Sequence, residues 1–114
     1  MTPEQALDKQ IMLFCGEHNW LCFHCNVGKV KMADGRYFDT GLPPGFPDLL
    51  IITDNNTIIF CETKIKPRKP SENQKKFINN LLNRGFIAFV SYNFDEFQQQ
   101  IHDFYHNKIK PPFL

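Results

Sequence analysis

A chain of 114 residues with 42% hydrophobic content and twelve phenylalanines is sized for a single domain, residues 1–114, that buries roughly two-thirds of its unfolded surface. No apolar run approaches the ~20 residues that a membrane span needs, and the N-terminus lacks the basic and apolar regions of a secretory signal, so no membrane partner and a cytoplasmic location are expected. A net charge of +1 excludes a strongly basic nucleic-acid binder as a bulk property, leaving local charge patterns to argue from.

Thr2-Pro3-Glu4-Gln5 opens a helix. Thr2 suits the cap, Pro3 the first helical position, and Gln5 closes a capping box. Leu7, Ile11, Phe14 and Cys15 recur at helical spacing and predict the buried stripe, with the end near Gly16 or His18. Glu4 and Asp8 stand one turn apart on neighbouring surface. A first-turn acid also answers the helix dipole without any further role.

Trp20 to Val27 reads as a strand. Cys22 and Cys25 form a C-x-x-C within it, and Cys15, Cys61, His18 and His24 raise the question of zinc. The second pair that a zinc ribbon needs is missing. A redox C-x-x-C opens a helix, whereas this one lies in a predicted strand. Reduced, packed thiols are the expectation. Val30–Met32 and Tyr37–Asp39 then predict a hairpin with Asp34-Gly35 at its turn. Lys29, Lys31 and Arg36, with Asn26, are placed to track a DNA backbone. The segment from Gly41 to Pro47 is rigid and mostly extended; its glycines permit close backbone approach, and it should fix the position of Asp48.

The centre of the chain is Gly45-Phe46-Pro47-Asp48-Leu49-Leu50-Ile51-Ile52, then Asp54-Asn55-Asn56-Thr57, then Ile58-Ile59-Phe60-Cys61-Glu62-Thr63-Lys64. Two strand-length apolar runs joined by turn formers predict a β-hairpin with a four- or five-residue connection. Alternation puts Glu62 and Lys64 on one face, and antiparallel pairing brings Asp48 beside them. The runs are apolar on both faces and belong in the middle of a covered sheet. Charges there lose solvation worth several kcal/mol each unless paired or bound to metal. One carboxylate pairs with Lys64; the second leaves negative charge that a hard divalent cation would neutralise.

Beyond Lys64, Pro67 and Pro70 end any central strand. Ser71 caps a helix running to Arg84 and closed by Gly85, with Phe77, Ile78, Leu81 and Leu82 as its stripe. Gln74 at the third position completes a capping box with Ser71. Lys64, Lys66, Arg68, Lys69, Lys75 and Lys76 form a basic stripe opposed only by Glu72, suited to phosphate; a solvated surface is the bland alternative. Phe86 to Ser91 predicts a buried strand parallel to its neighbour. Phe94 to about His106 predicts a helix with Phe97, Ile101 and Phe104 or Tyr105 inside. His102 and His106 lack a third ligand and are expected on the surface. Residues 108–114 form an apolar tail that would suit a partner subunit. The order gives an α/β domain with a mixed sheet between helices.

Pro47-Asp48, thirteen residues, then Glu62-Thr63-Lys64 resembles the PD-(D/E)xK nuclease signature. With Gly45 before it, Ser71-Glu72-Asn73-Gln74 after it and Arg84-Gly85-Phe86 beyond, the pattern resembles the VRR-NUC branch from Glu4 to Val90. It is most similar to the compact stand-alone members carried by bacteriophages. The resemblance implies a restriction-endonuclease-like core and Mg²⁺- or Mn²⁺-dependent hydrolysis of DNA phosphodiesters, selective for branched shapes such as flaps or four-way junctions. Asp48, Glu62 and the Thr63 carbonyl are then the metal ligands, Lys64 the catalytic amine, and Gln74 points at the centre. An acid of the first helix approaches the metal, with Glu4 the better match and Asp8 the reserve. The resemblance also puts the 30–39 hairpin near bound nucleic acid. A homodimer is expected, with no small organic cofactor. A non-cleaving DNA-binding or scaffold module that kept the fold is the competing reading.

Overall fold

Strands with apolar residues on both faces need cover on both, and helices from the two ends and the middle of the chain supply it. The computed structural model describes residues 1–106, in the order α1 (Pro3–Glu17), β1 (Leu21–His24), β2 (Lys29–Lys31), β3 (Tyr37–Asp39), β4 (Leu49–Ile52), β5 (Ile58–Thr63), α2 (Glu72–Asn83), β6 (Ile87–Ser91) and α3 (Phe94–His106). The tail expected over 108–114 lies outside the described residues, as do the side chains of Tyr105 and His106.

Four strands form one mixed sheet in the order β1-β4-β5-β6. The first three are antiparallel, and β6 runs parallel to β5 after the α2 crossover. On one face Leu49, Ile51, Ile59, Cys61 and Ile87 pack against Leu7, Ile11 and Cys15 of α1 and Phe97 and Ile101 of α3. On the other, Phe60 and Ala88 meet Ile78 and Leu81 of α2, with Phe46, Leu50, Phe77, Leu82 and Val90 around them. Each leucine, isoleucine or phenylalanine side chain fully removed from water there contributes about 1.5–3 kcal/mol. The mixed sheet between helices is therefore the one that the hydrophobic pattern predicts.

Both predicted capping boxes form. Thr2 and Gln5 exchange bonds at 2.9 and 3.1 Å, and Ser71 and Gln74 at 2.8 and 3.2 Å. In the central hairpin the last pair is Ile52 with Ile58, so the connection is the five residues 53–57. Thr53 closes it, its N–H donating to the Thr57 carbonyl and its hydroxyl accepting from the Thr57 N–H.

β1 is shorter than the predicted Trp20–Val27 run. It ends at His24, and the Cys25 N–H adds one further bond in the same register, to the Asp48 carbonyl at 2.7 Å. The chain then leaves for the β2–β3 hairpin, a sheet of its own with every residue of both strands exposed. Met32 donates to the Arg36 carbonyl across Ala33-Asp34-Gly35, with Gly35 at φ +88°, a three-residue turn of the Asp-Gly kind. The four cysteines are free thiols. Among the described residues no three His, Cys, Asp or Glu side chains form a cluster fit for a metal.

Candidate active site

The β4–β5 register sets the site. Leu49 pairs with Cys61, so the next residues outward, Asp48 and Glu62, lie opposite one another on the α2 face. Asp48 stands just before β4 and Lys64 just after β5, at the same end of the sheet. Pro47, fully buried, anchors the approach.

Glu62 is 1% exposed and Lys64 7%. The Lys64 ammonium lies 3.8 Å from Glu62 Oε2, and Gln74 Nε2 donates to the same oxygen at 3.0 Å. Glu62 Oε1 is buried with no hydrogen-bond partner among the described residues. Loss of water around the carboxyl, and next the like charge of Asp48, push the Glu62 pKa up to about 8. A buried, partnerless carboxylate oxygen beside a second carboxylate costs several kcal/mol as it stands. It is the donor arrangement that a hard cation satisfies, so Asp48 and Glu62 fit a divalent metal.

Asp48 is held from below. Its Oδ2 accepts the Thr63 N–H at 3.1 Å and lies 3.0 Å from the Thr63 hydroxyl. That hydroxyl also donates to Asp8 Oδ1 at 2.6 Å, on the α1 face of the sheet. Asp8 is 7% exposed, and burial raises its pKa. Its Oδ2 meets His24 Nε2 at 3.3 Å.

The structure thus brings together Asp48, Glu62, Thr63, Lys64 and Gln74. Gln74 serves both of its readings at once, accepting the Ser71 N–H through Oε1 while Nε2 holds Glu62. Glu4 makes a different contact: its carboxylate pairs with Arg68, in the loop after Lys64, at 3.5 Å. The first-helix acid that reaches the sheet's end is Asp8. Its signal in the sequence was its place three residues before Ile11 and seven before Cys15, within the apolar stripe. Glu4 bears the same relation to Leu7 and Ile11, so spacing alone did not separate the two. The hydroxyl of Thr63 had no sequence signal beyond strand alternation, and the imidazole of His24 stood out only beside the cysteines, as a zinc candidate.

The basic residues leave from this same end. β1 exits at His24, opposite Leu49, into the hairpin carrying Lys29, Lys31 and Arg36. β5 exits at Thr63 into Lys66, Arg68 and Lys69, and α2 begins there with Lys75 and Lys76. Several are engaged locally: Arg36 with Asp34 at 2.7 Å, Arg68 with Glu4, Lys75 with Glu72 at 3.4 Å, and Lys66 over the Tyr92 ring at 5.7 Å.

Comparison with known proteins gives two matches. The pattern of the VRR-NUC domain family matches residues 12–94, well over half of the chain. A solved VRR-NUC domain is similar over 92% of this chain and 100% of its own, with a TM-score of 0.72 at 24% identity, a likeness of fold. No curated protein matches.

Proposed function

The chain belongs to the VRR-NUC domain family, and we propose that it is a metal-dependent DNA endonuclease hydrolysing phosphodiester bonds. The observation that carries the reading is Glu62 Oε1, buried beside Asp48 with no hydrogen-bond partner among the described residues, at the mouth of a basic surface. Asp48, Glu62 and the Thr63 carbonyl would hold Mg²⁺ or Mn²⁺. Such an ion polarises the phosphate and makes its bound water acidic enough to attack.

The remaining work falls to side chains of this chain. Gln74 fixes Glu62 Oε2, so that Oε1 keeps its direction. The Thr63 N–H fixes Asp48. Lys64, 3.8 Å from Glu62, presents its ammonium to the attacking water or to the charge that builds on the phosphorus oxygens. Beside two carboxylates its first role is orientation rather than proton abstraction. Lys29, Lys31, Arg36, Lys66, Arg68, Lys69, Lys75 and Lys76 supply phosphate contacts along the DNA. Branched DNA, a flap or four-way junction, is the substrate form that we favour. A symmetric homodimer with one site per subunit suits a junction of two-fold symmetry.

The test is nicking of labelled duplex, flap and four-way DNA with Mg²⁺ or Mn²⁺, EDTA as control, with the mass in solution measured alongside. Asp48→Ala, Glu62→Ala and Lys64→Ala should each lower cleavage by about 100-fold or more with the circular dichroism spectrum unchanged. Near-normal turnover in any of them removes that residue from the mechanism. DNA binding with no metal-stimulated nicking would favour a non-cleaving module instead.

A further inference from the structure

One buried acid and one half-exposed imidazole stand behind the sheet's end, on the face opposite Glu62 and Lys64. We propose that His24 is a positioning residue of this site: its Nε2–H, donated to Asp8, fixes the buried carboxylate that anchors Thr63 beside Asp48. The inference rests on Asp48 being a cation-holding acid, as argued above.

The chain of contacts is continuous. His24 Nε2 lies 3.3 Å from Asp8 Oδ2. Asp8 Oδ1 takes the Thr63 hydroxyl at 2.6 Å. The Thr63 N–H, at 3.1 Å, and its Oγ1, at 3.0 Å, both touch Asp48 Oδ2. A hydroxyl has one proton and serves one acceptor at a time. The shorter contact makes Asp8 the main acceptor, which locks the Thr63 side chain and leaves its N–H to hold Asp48.

Asp8 needs both of its bonds. A carboxylate 7% exposed loses most of its hydration, and an oxygen left unpaired there costs several kcal/mol. Thr63 satisfies one oxygen and His24 the other. The placement follows from β1: Cys22 and His24 share its α1 face, and the strand stops at His24. The imidazole, its side chain 44% exposed, thus sits on the rim of an open cavity of about 430 Å³ that Asp8, Gln5, Lys9 and Met12 also line. A half-exposed side chain on a strand end adds little to the core, so its replacement removes the Asp8 contact and little other packing.

The experiment is a titration of Mn²⁺ followed by electron paramagnetic resonance, with Asp48→Ala defining the background. His24→Ala should weaken Mn²⁺ binding by about tenfold, whereas His24→Gln, whose amide N–H stands where Nε2 stood, should stay within about threefold of the unaltered protein. Both variants should fold, with His24→Ala melting lower than His24→Gln because Asp8 Oδ2 is then left without that partner. In a Thr63→Val background, His24→Ala should make no further difference. Unchanged Mn²⁺ affinity in His24→Ala, or equal losses in the Ala and Gln variants, overturns the inference and leaves the metal site standing. If the unaltered protein binds no Mn²⁺ beyond the Asp48→Ala background, the metal site falls and this inference with it. Should Thr63→Val fail to fold, the Ala–Gln comparison decides.

Discussion

Glu62 holds its proton more tightly in the folded chain than the usual glutamate value of 4.5 allows, up to about 8, because burial and the Asp48 charge both disfavour ionisation. The sign for stability follows from linkage. Below about pH 4.5 the carboxyl is protonated in both states and its contribution is complete. Between there and about pH 8 the unfolded chain ionises first, so stability is lost as pH rises. The melting temperature of the protein in EDTA should therefore fall across that window. Glu62→Gln should flatten the fall, and Mg²⁺ at pH 8 should reverse it. A melting temperature that rises from pH 5 to pH 8 in EDTA would contradict the assignment. Metal loading at pH 7 should also release about one proton per ion, read as a buffer-dependent heat of binding.

At the scale of elements, the site depends on how closely the loop before β4 approaches the start of α2. Gly45 has φ +89°, and a Cβ added there would stand 2.3 Å from the Asn73 carbonyl oxygen and 3.0 Å from the Gln74 nitrogen. Backbone meets backbone, so nothing flexible can yield. The absent side chain lets the segment carrying Asp48 rest on the helix turn carrying Gln74, and both acids are placed by that contact. Gly45→Ala should cost about 2–4 kcal/mol in urea unfolding, from left-handed strain and overpacking together. It should also lower cleavage more than its stability loss explains, since Gln74 must shift away from Glu62. Full cleavage at a temperature where the variant is folded would separate the glycine from the site. By contrast Ser71→Ala, which removes one cap acceptor from the same turn, should cost only about 1 kcal/mol.

Over the whole molecule, a net charge of +1 gives no long-range pull on DNA, and attraction has to come from where the charges sit. The hairpin, the loop after β5 and the first turn of α2 all leave from the end of the sheet where Asp48 and Glu62 meet. Asp54, in the turn at the other end of the sheet, offsets the total from a distance at which exposed charges are screened. Glu4, Asp34 and Glu72 instead pair with Arg68, Arg36 and Lys75 at the site end itself. Lys29→Ala with Lys31→Ala should weaken DNA binding about uniformly across sequences and reduce the log–log salt slope by about 2. An unchanged slope would take the hairpin out of the DNA path.

What the sequence determined by itself is the set of local patterns that need only near neighbours. Both capping boxes, the two helical stripes of α2 and α3, a hairpin turn of four or five residues and the pairing of Asp48 with Glu62 follow from periods of 3.6 and 2 and from turn chemistry. The tertiary structure decided what those patterns leave degenerate. Glu4 and Asp8 have the same spacing to the apolar stripe, and only the place where β5 ends beneath α1 gave Asp8 the Thr63 hydroxyl and left Glu4 to Arg68. His24 stood out in its strand only beside the cysteines until β1 stopped there, next to α1. Gly45 was a permissive residue until Asn73, far along the chain, came to fill the space that a side chain would need. The physical reason is common to all three. A local pattern says which face a side chain takes, but the partner on that face belongs to another element, and only packing brings it there.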